Sequence, residues 1–377
     1  MKSLTIAILF SCMIGPIARA GDESPASPKQ QEFDSLFETY YLNKNINDVI
    51  RLLKIAELDR LFDAHESAMA GMTGFLATVF TEEPGKIDRI VKSARFTGRT
   101  RKVIERALWM SGNAKKIKPL FGKLPDFANE KPVALKDCPI KDPGDLDMMW
   151  GAFLASGDAA YAKRVLETLD ESRELSGERR LDAAMRGAAE WSLRSFVLRH
   201  ELVYRMAQRE LKAQPQGVRK KLRKMLESIK MPKMEKSDGE FTAGLFILDD
   251  ATLREFEKPR DAVLRLSNKT RARVGDIVAI KITFTGFELT DDLKALVQYD
   301  LKILDPDGGI YDETDLKNLE AYHGRTATRF TFLDNHTVTM LRFEDKDKPG
   351  TYRVRATIRD RIGKKSIALE QTITLEK

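Results

Sequence analysis

Histidine and cysteine, which supply many of the bases, nucleophiles and metal ligands of enzymes, are scarce in this chain. Its four histidines are His65, His200, His323 and His336, and no two have the spacing of a metal-binding pair. His65-Glu66 lacks the second histidine of the H-E-x-x-H motif. No G-x-S-x-G, P-loop or dinucleotide-binding fingerprint is present. The sequence therefore predicts no catalytic residue, no cofactor and no metal, and leaves open a site assembled from distant segments.

The two cysteines, Cys12 and Cys138, lie in different surroundings. Cys12 belongs to an apolar leader, whereas Cys138 precedes Pro139 in a proline-rich loop from Phe121 to Gly144. No histidine stands beside Cys138, so a free loop thiol is predicted, and the nucleophile of a hydrolase is the alternative. Loops of this length often contact partners or move.

Four aspartates, Asp305, Asp307, Asp312 and Asp315, surround a turn that follows an alternating apolar segment. A calcium-binding EF-hand loop needs oxygen ligands at its positions 1, 3 and 5 and a glutamate at position 12. Gly309 and Leu316 stand at the fifth and last of these positions. A solvated turn between two strands is therefore the prediction, in which the aspartates bond the local backbone.

Two groups of basic residues are candidates for contact with an acidic partner or an anionic surface. They are Arg219, Lys220, Arg223 and Lys224 on a predicted amphipathic helix from Val218 to Ile229, and Arg353, Arg355 and Arg359 on the outward face of a predicted strand. Aromatic residues do not interleave with the second group, so no nucleic-acid partner is predicted. The alternatives are an end helix that keeps a helical domain soluble, and a charged row that protects a sheet. The formal net charge of +7 favours acidic partners only weakly.

The N-terminus has the pattern of a secretory signal peptide. Lys2 precedes an apolar run from Leu4 to Ile14, and Ala18-Arg19-Ala20 forms a small-residue cleavage site. We therefore expect residues 1–20 to be removed after Ala20 and the chain to be periplasmic or secreted. A membrane anchor and a lipoprotein modified at Cys12 are the alternatives. Residues 21–31 are polar and predict a flexible N-terminus.

Residues 32–230 predict a helical domain with a weak internal repeat. Segment 107–114, ALWMSGNA, matches segment 152–159, AFLASGDA, and each combines a helix end, a glycine and a residue that caps the next helix. Stacked hairpins bury apolar stripes that one hairpin cannot bury alone. From Phe33 to Ile229 the chain resembles tetratricopeptide-type α-solenoids, and the resemblance implies a peptide-binding groove. An irregular all-α bundle is the alternative.

After a predicted linker at 231–239, the apolar pattern changes to period 2. Leu296–Leu304 and Tyr352–Ile358 alternate apolar and polar residues as half-buried strands do. Several such strands separated by turn signals predict an antiparallel β-sandwich over 240–377. Segment Lys348–Val354 is similar to the strand entry of immunoglobulin and fibronectin-like modules of exported bacterial proteins, in which a tyrosine ties the corner.

These features predict a multidomain chain, helical first and all-β second, as an α-solenoid followed by an Ig-like β-sandwich. The predicted function is that of an exported, non-catalytic protein-interaction or scaffold protein of the cell envelope. Its predicted partner is another envelope protein, and no nucleic acid is expected. The alternatives are an envelope hydrolase with a site near the proline-rich loop, and a protein that contacts an anionic membrane surface through helix 218–229.

Overall fold

The structure, a computed structural model, describes residues 6–8, 27–64, 67–229, 234–257, 264–266 and 268–376. Helices dominate the N-terminal part and β-sheets the C-terminal part, so the predicted order of a helical and then a β region is confirmed. The chain divides into two compact units, Ile14–Ile229 and Lys230–Lys377 together with Met1–Met13. Except for Ile6–Ile8, the predicted signal peptide with Cys12 and Ala20 lies outside the described residues, as does His65.

The helical unit consists of α-helices and short 3₁₀ turns. In chain order the helices are α1 (Pro28–Asn43), α2 (Ile46–Leu58), α3 (Leu61–Ala64), α4 (Ser67–Glu82), α5 (Ile87–Val91), α6 (Gly98–Met110), α7 (Ile117–Phe121), α8 (Pro143–Ser156), α9 (Ala159–Glu167), α10 (Arg179–Arg199), α11 (Glu201–Glu210) and α12 (Gln216–Glu227). Among the helices of the described ranges, none is both long and apolar enough to cross a membrane.

Helix ends follow the capping residues of the sequence. Ser27 accepts a hydrogen bond from the backbone N–H of Gln30, and Pro28 occupies the first turn, so α1 begins before residue 32, where the apolar pattern starts. Gly157 ends α8 with a φ of 75°, and the Asp158 side chain caps α9 by accepting from the N–H of Ala160. These contacts match the glycine and cap roles that the internal repeat predicts for its second copy. In the first copy Gly112 has the predicted left-handed φ, but the Asn113 side chain does not cap the 3₁₀ turn that follows it, so that part of the prediction is wrong.

Helices α4 and α8 pack backbone against backbone because glycines line their contact. A Cβ atom added to Gly151 would lie 1.8 Å from the carbonyl oxygen of Gly71. One added to Gly74 would lie 2.1 Å from the carbonyl oxygen of Met148. Both distances are well inside van der Waals contact, so a side chain at either position would force the two helices apart.

The second unit consists of strands and one described helix. Its elements are β1 (Ile6–Ile8), β2 (Lys236–Asp238), β3 (Phe241–Asp249), α13 (Asp250–Glu257), β4 (Leu264–Leu266), β5 (Arg271–Ala272), β6 (Ile277–Thr285), β7 (Lys294–Leu304), β8 (Ile310–Arg325), β9 (Leu333–Asp334), β10 (Thr339–Arg342), β11 (Gly350–Asp360) and β12 (Lys365–Leu375). Strand β2 lies within the segment 231–239 that was predicted to be a linker. The sequence did not reveal this strand because its three residues are polar and exposed and show no apolar alternation.

The strands form two five-stranded sheets and one pair. The first sheet has the order β10-β6-β3-β2, with β9 also on β6, and the second has the order β5-β12-β11-β7-β8. Strands β1 and β4 form the pair. Neighbours are antiparallel except β5 and β12. Apolar residues of the predicted strands β7 and β11 alternate into the core, as Tyr299 and Val354 illustrate with exposures of 1% and 0%.

Two features of the second sheet bear on the predictions. Tyr352 donates a hydrogen bond of 3.0 Å to the carbonyl oxygen of Lys348, which is the predicted tie between the strand and its preceding turn.

Edge strand β8 is 16 residues long, and the sequence pattern did not predict it. Asp312, Glu313 and Asn318 have positive φ values within it and interrupt its regular ladder with β7.

Candidate binding site

A cavity of about 480 Å³ opens in the helical unit where four segments of the chain meet. The segments are the end of α4, the turn after α6, the proline-rich loop and the start of α9. The lining residues are Ala77, Thr78, Thr81, Glu82, Met110, Ser111, Gly112, Pro132, Ala134, Leu135, Lys136 and Tyr161. The volume lies in the range of small-ligand and peptide side-chain pockets.

Helix α4 contributes one wall through residues that share a helical face. The Thr78 hydroxyl donates to the carbonyl oxygen of Gly74 at 3.0 Å, and the Thr81 hydroxyl donates to that of Ala77 at 2.8 Å. Each hydroxyl therefore donates its hydrogen bond to a carbonyl of its own helix, and its oxygen lone pairs can still accept a hydrogen bond. Gly74 also lies in the tight contact with α8, so this wall is held in place by the glycine packing.

The turn after α6 contributes the second wall. Gly112 adopts a φ of 74°, a left-handed conformation that suits glycine and ends the helix. The Ser111 hydroxyl donates to the carbonyl oxygen of Leu108 at 3.1 Å and accepts from the Asn113 amide at 3.1 Å. The Asn113 amide also donates to the carbonyl oxygen of Phe80 at 3.4 Å, which joins this turn to α4.

The proline-rich loop forms the third wall and is anchored through its backbone. The indole N–H of Trp109 donates to the carbonyl oxygen of Glu130 at 2.9 Å. The Arg164 guanidinium donates to the carbonyl oxygens of Lys136 and Cys138, the latter at 2.7 Å. Leu135 is 7% exposed and packs into the unit. Of the two predicted behaviours for this loop, contact or motion, the hydrogen bonds favour a fixed surface.

Tyr161 on α9 completes the cavity. Its ring is half-buried, and its hydroxyl lies beside the Thr78 side chain. Burial raises the pKa of Tyr161, so the phenol stays protonated at neutral pH and can donate or accept. At the rim, Glu82 and Lys136 are exposed, and the Glu82 carboxylate pairs with the Lys44 ammonium at 2.8 Å.

The lining of the cavity combines hydrogen-bonding groups with apolar surface. Its described lining combines the hydroxyls of Thr78, Thr81, Ser111 and Tyr161 with apolar surface, and it includes neither a histidine nor a cysteine. Neutral hydrogen-bonding groups beside apolar contacts match a ligand with its own amide or hydroxyl groups.

The histidines and Cys138 are not brought together. His200 is buried in the helical unit, whereas His323 and His336 are exposed on the β unit. Burial, and next the nearby Asp145 carboxylate, raise the pKa of the Cys138 thiol, which keeps it in the less reactive protonated form. Among the described residues, no group of three or more histidine, cysteine or acidic side chains is placed to hold a metal ion.

Three of the four predicted aspartates, Asp305, Asp307 and Asp315, bond or pair with other groups of the protein. The Asp305 carboxylate accepts from the N–H groups of Asp307 and Gly309 at 3.0 and 2.8 Å, as a solvated turn requires. Asp307 pairs with Lys348, and Asp315 lies within 2.7 Å of the Lys317 ammonium. The carboxylates therefore point to different partners.

The two predicted basic groups differ in their surroundings. On β11, Arg355 pairs with Glu370, and Arg359 pairs with Asp300 at 2.6 Å, a contact that lowers the pKa of Asp300 to about 2. These cross-strand pairs stabilise the sheet surface, while Arg353 lies half-buried beside them. On α12 all members of the other group are exposed to solvent: Arg219, Lys220, Arg223 and Lys224.

One wall of the cavity is predictable from the sequence, and the other walls are not. The proline-rich loop was a predicted contact segment, but Thr78, Ser111 and Tyr161 carry no motif. Of the three, only Ser111 has a sequence signal, because it belongs with Gly112 to one of the two matching Ser-Gly helix ends.

Neither a protein-family model nor a curated protein matches this chain. Among solved structures it is similar to a family 123 glycoside hydrolase from Clostridium perfringens, with 13% identity and a TM-score of 0.23 over 36% of this chain and 28% of that chain. It is also similar to a Niemann-Pick type C2 protein from Japanese carpenter ant, with 8% identity and a TM-score of 0.22 over 36% of this chain and 91% of that one. A Pseudomonas fluorescens alkylpurine DNA glycosylase bound to DNA has 10% identity and a TM-score of 0.22 over 92% and 98% of the two chains. Likenesses this distant carry no argument about function.

Proposed function

We propose that the chain is an exported, non-catalytic protein-interaction or scaffold protein of the cell envelope. Its helical unit binds a segment of a partner envelope protein in the 480 Å³ cavity. The observation that carries this proposal is the lining of that cavity, which pairs neutral hydroxyls with apolar surface.

An extended peptide segment fits the chemistry of the lining. Thr78 and Thr81 have hydroxyl lone pairs that can accept from peptide N–H groups, and the Tyr161 phenol can donate to a peptide carbonyl. Met110 and Leu135 offer apolar contacts for one side chain of the segment. Peptide recognition commonly uses this division between backbone hydrogen bonds and side-chain pockets.

The proposal includes the finer description of both folds. For the helical unit it is a tetratricopeptide-like array of hairpins, supported by the matching ends of α6 and α8. For the β unit it is an Ig-like β-sandwich, supported by the hydrogen bond from Tyr352 to Lys348. Export with cleavage after Ala20 is also part of the proposal, and it removes strand β1 and its pairing with β4 from the mature protein. It predicts an N-terminal peptide, identified by mass spectrometry, that begins at Gly21.

The alternative of an envelope hydrolase receives less support. The raised pKa of Cys138 opposes thiolate formation, and its backbone carbonyl is held by Arg164 in a structural role.

A pull-down of the full mature chain from envelope extract tests the proposal. Ala134→Trp places a large side chain in the cavity, whereas Val133→Trp adds the same ring at an exposed neighbour outside the lining. We expect Ala134→Trp to reduce capture of the partner by about tenfold or more and Val133→Trp to leave it unchanged. Equal capture by wild type and both variants would overturn the assignment of the cavity.

A further inference from the structure

Helix α12 presents an outer face made of cations. Arg219, Lys220, Arg223 and Lys224 are all exposed, and none of them has an ion pair among the described residues. The opposite face, Val218, Leu222 and Met225, is at most 3% exposed and packs into the helical unit. The neighbouring Lys221 differs, because its ammonium pairs with Glu171 at 2.9 Å. We call these four cations the α12 basic face. They contribute neither buried packing nor an ion pair to the described part of the fold.

The α12 basic face works against the stability of its own helix. Arg219 and Arg223 are like charges four residues apart, as are Lys220 and Lys224, and such pairs repel on a helix surface. The helix has no acidic residue in its first turn, and no side chain caps its N-terminus at Pro215. Cations near that end also oppose the helix dipole. Neutral polar residues would solvate the surface equally well, so solubility alone does not explain this arrangement.

We propose that the α12 basic face docks the protein on a bilayer surface that contains anionic phospholipids. Phosphate headgroups would relieve the repulsion among the four cations, and electrostatic attraction of this kind needs no shaped pocket. Docking here is independent of the cavity between α4 and α9, because no residue of α12 lines that cavity.

The composition of the outer face favours a lipid surface over a protein or a nucleic acid. Its exposed residues are Gln216, Gly217, Arg219, Lys220, Arg223, Lys224 and Glu227, and none is apolar or aromatic. Protein interfaces usually have an apolar core and are depleted in lysine. Single-stranded nucleic-acid sites stack bases on aromatic side chains. A headgroup layer requires neither.

The mode of docking follows from the packing of α12. Since Val218, Leu222 and Met225 are already buried in the helical unit, the helix lies on the headgroups and does not insert an apolar face. Attraction that depends on charge alone is screened by salt, because the Debye length falls from about 10 Å at 0.1 M to about 3 Å at 1 M. We therefore expect binding that is lost as ionic strength rises.

Co-sedimentation of the full mature chain with vesicles tests the proposal. One set of vesicles is pure phosphatidylcholine, and the other contains phosphatidylglycerol at roughly one lipid in three. We expect wild type to pellet with the anionic vesicles at low salt only. Each cation near such a surface strengthens partition about fivefold, so the variant R219Q/K220Q/R223Q/K224Q should partition several hundredfold more weakly, on the order of 10²–10³.

A dispersed variant, K54Q/K86Q/K102Q/K118Q, is the matched control. It removes the same number of exposed positive charges from other helices and turns of the same unit, and we expect it to keep most of the binding. The α12 variant should also melt no lower than wild type, because it removes two repulsive pairs. Binding retained by a folded α12 variant, equal loss in the control, equal binding to phosphatidylcholine, or no binding by wild type would each overturn the proposal.

Discussion

The hydroxyl oxygen of Tyr41 and Nδ1 of His200 lie 3.1 Å apart inside the helical unit, where they join α1 to the residue between α10 and α11. His200 is 1% exposed, and the rings of Phe153 and Phe196 lie 5.3 and 4.9 Å from its own. Its Nε2 has no partner among the described residues. Burial, and next the Arg199 cation, lower the pKa of His200 well below its usual value, so the folded protein holds a neutral imidazole.

We predict that His200 makes the protein less stable in mild acid. The unfolded imidazole takes up a proton below pH about 6.5, whereas the folded one does not, so its contribution is present above that pH and is lost as pH falls. The loss amounts to at most about 1.4 kcal/mol per pH unit. Urea unfolding at pH 7, 6 and 5 should show this slope as the difference between wild type and His200→Phe. Identical pH dependence in the two proteins would contradict the prediction.

Asp147 should act in the opposite direction. Burial, and next the Asp142 carboxylate, raise the pKa of Asp147 to about 7, so the folded protein holds this proton where the unfolded chain has released it. Its contribution is therefore complete below pH about 4 and is lost as pH rises through 7. We expect Asp147→Asn to gain on the order of 2 kcal/mol relative to wild type between pH 5 and pH 8. Exposed Asp137→Asn is the control and should show no such gain.

Glycine substitutions in two helices should have opposite effects. Gly151→Ala places a Cβ 1.8 Å from the Gly71 carbonyl oxygen and should lower the free energy of unfolding by about 3 kcal/mol or more. Gly187→Ala on α10 meets no atom within 4 Å, so better helix propensity should raise that free energy by about 0.5–1 kcal/mol. Denaturant titration of both variants measures the difference. A tolerated Gly151→Ala would contradict the close backbone contact between α4 and α8.

Removing the guanidinium of Arg164 should release the proline-rich loop. Arg164→Ala abolishes the hydrogen bonds to the carbonyl oxygens of Lys136 and Cys138, and bonds from a charged donor contribute about 1.5–3 kcal/mol each. Limited trypsin digestion should then cut after the exposed Lys136 at least about tenfold faster than in wild type. Arg95→Ala, an exposed arginine outside this contact, should leave the cleavage rate unchanged.

A strand could be predicted from the sequence only where its apolar residues alternate regularly with polar ones. Strands β7 and β11 were predictable because every second residue enters the core, from Val297 to Ile303 and from Tyr352 to Ile358. Strand β8 was not, because it lies at a sheet edge with mostly polar residues and changes register around Asp312 and Asn318. An edge strand buries too little on either face to impose an alternating pattern.

The cavity could not be predicted from the sequence, for a different reason. Thr78, Ser111 and Tyr161 become neighbours only after α4, α6 and α9 have packed, and each residue type is common on helices and turns. The loop was recognisable because its prolines exclude regular structure. The contact between α4 and α8 likewise depends on which glycines face each other, and Gly151 and Gly187 look alike in sequence although one is enclosed and the other open.

Trp109 and Arg164 hold the proline-rich loop by its main-chain carbonyl groups, which every amino acid carries. These hydrogen bonds therefore do not depend on which side chains stand at positions 130, 136 and 138. Substitutions at exposed positions of this segment, such as Lys136, can change the surface offered to a ligand without detaching the loop, whereas Leu135 is buried and contributes to packing. The loop is for this reason the place where a new binding preference could arise, or be engineered, at least risk to the fold.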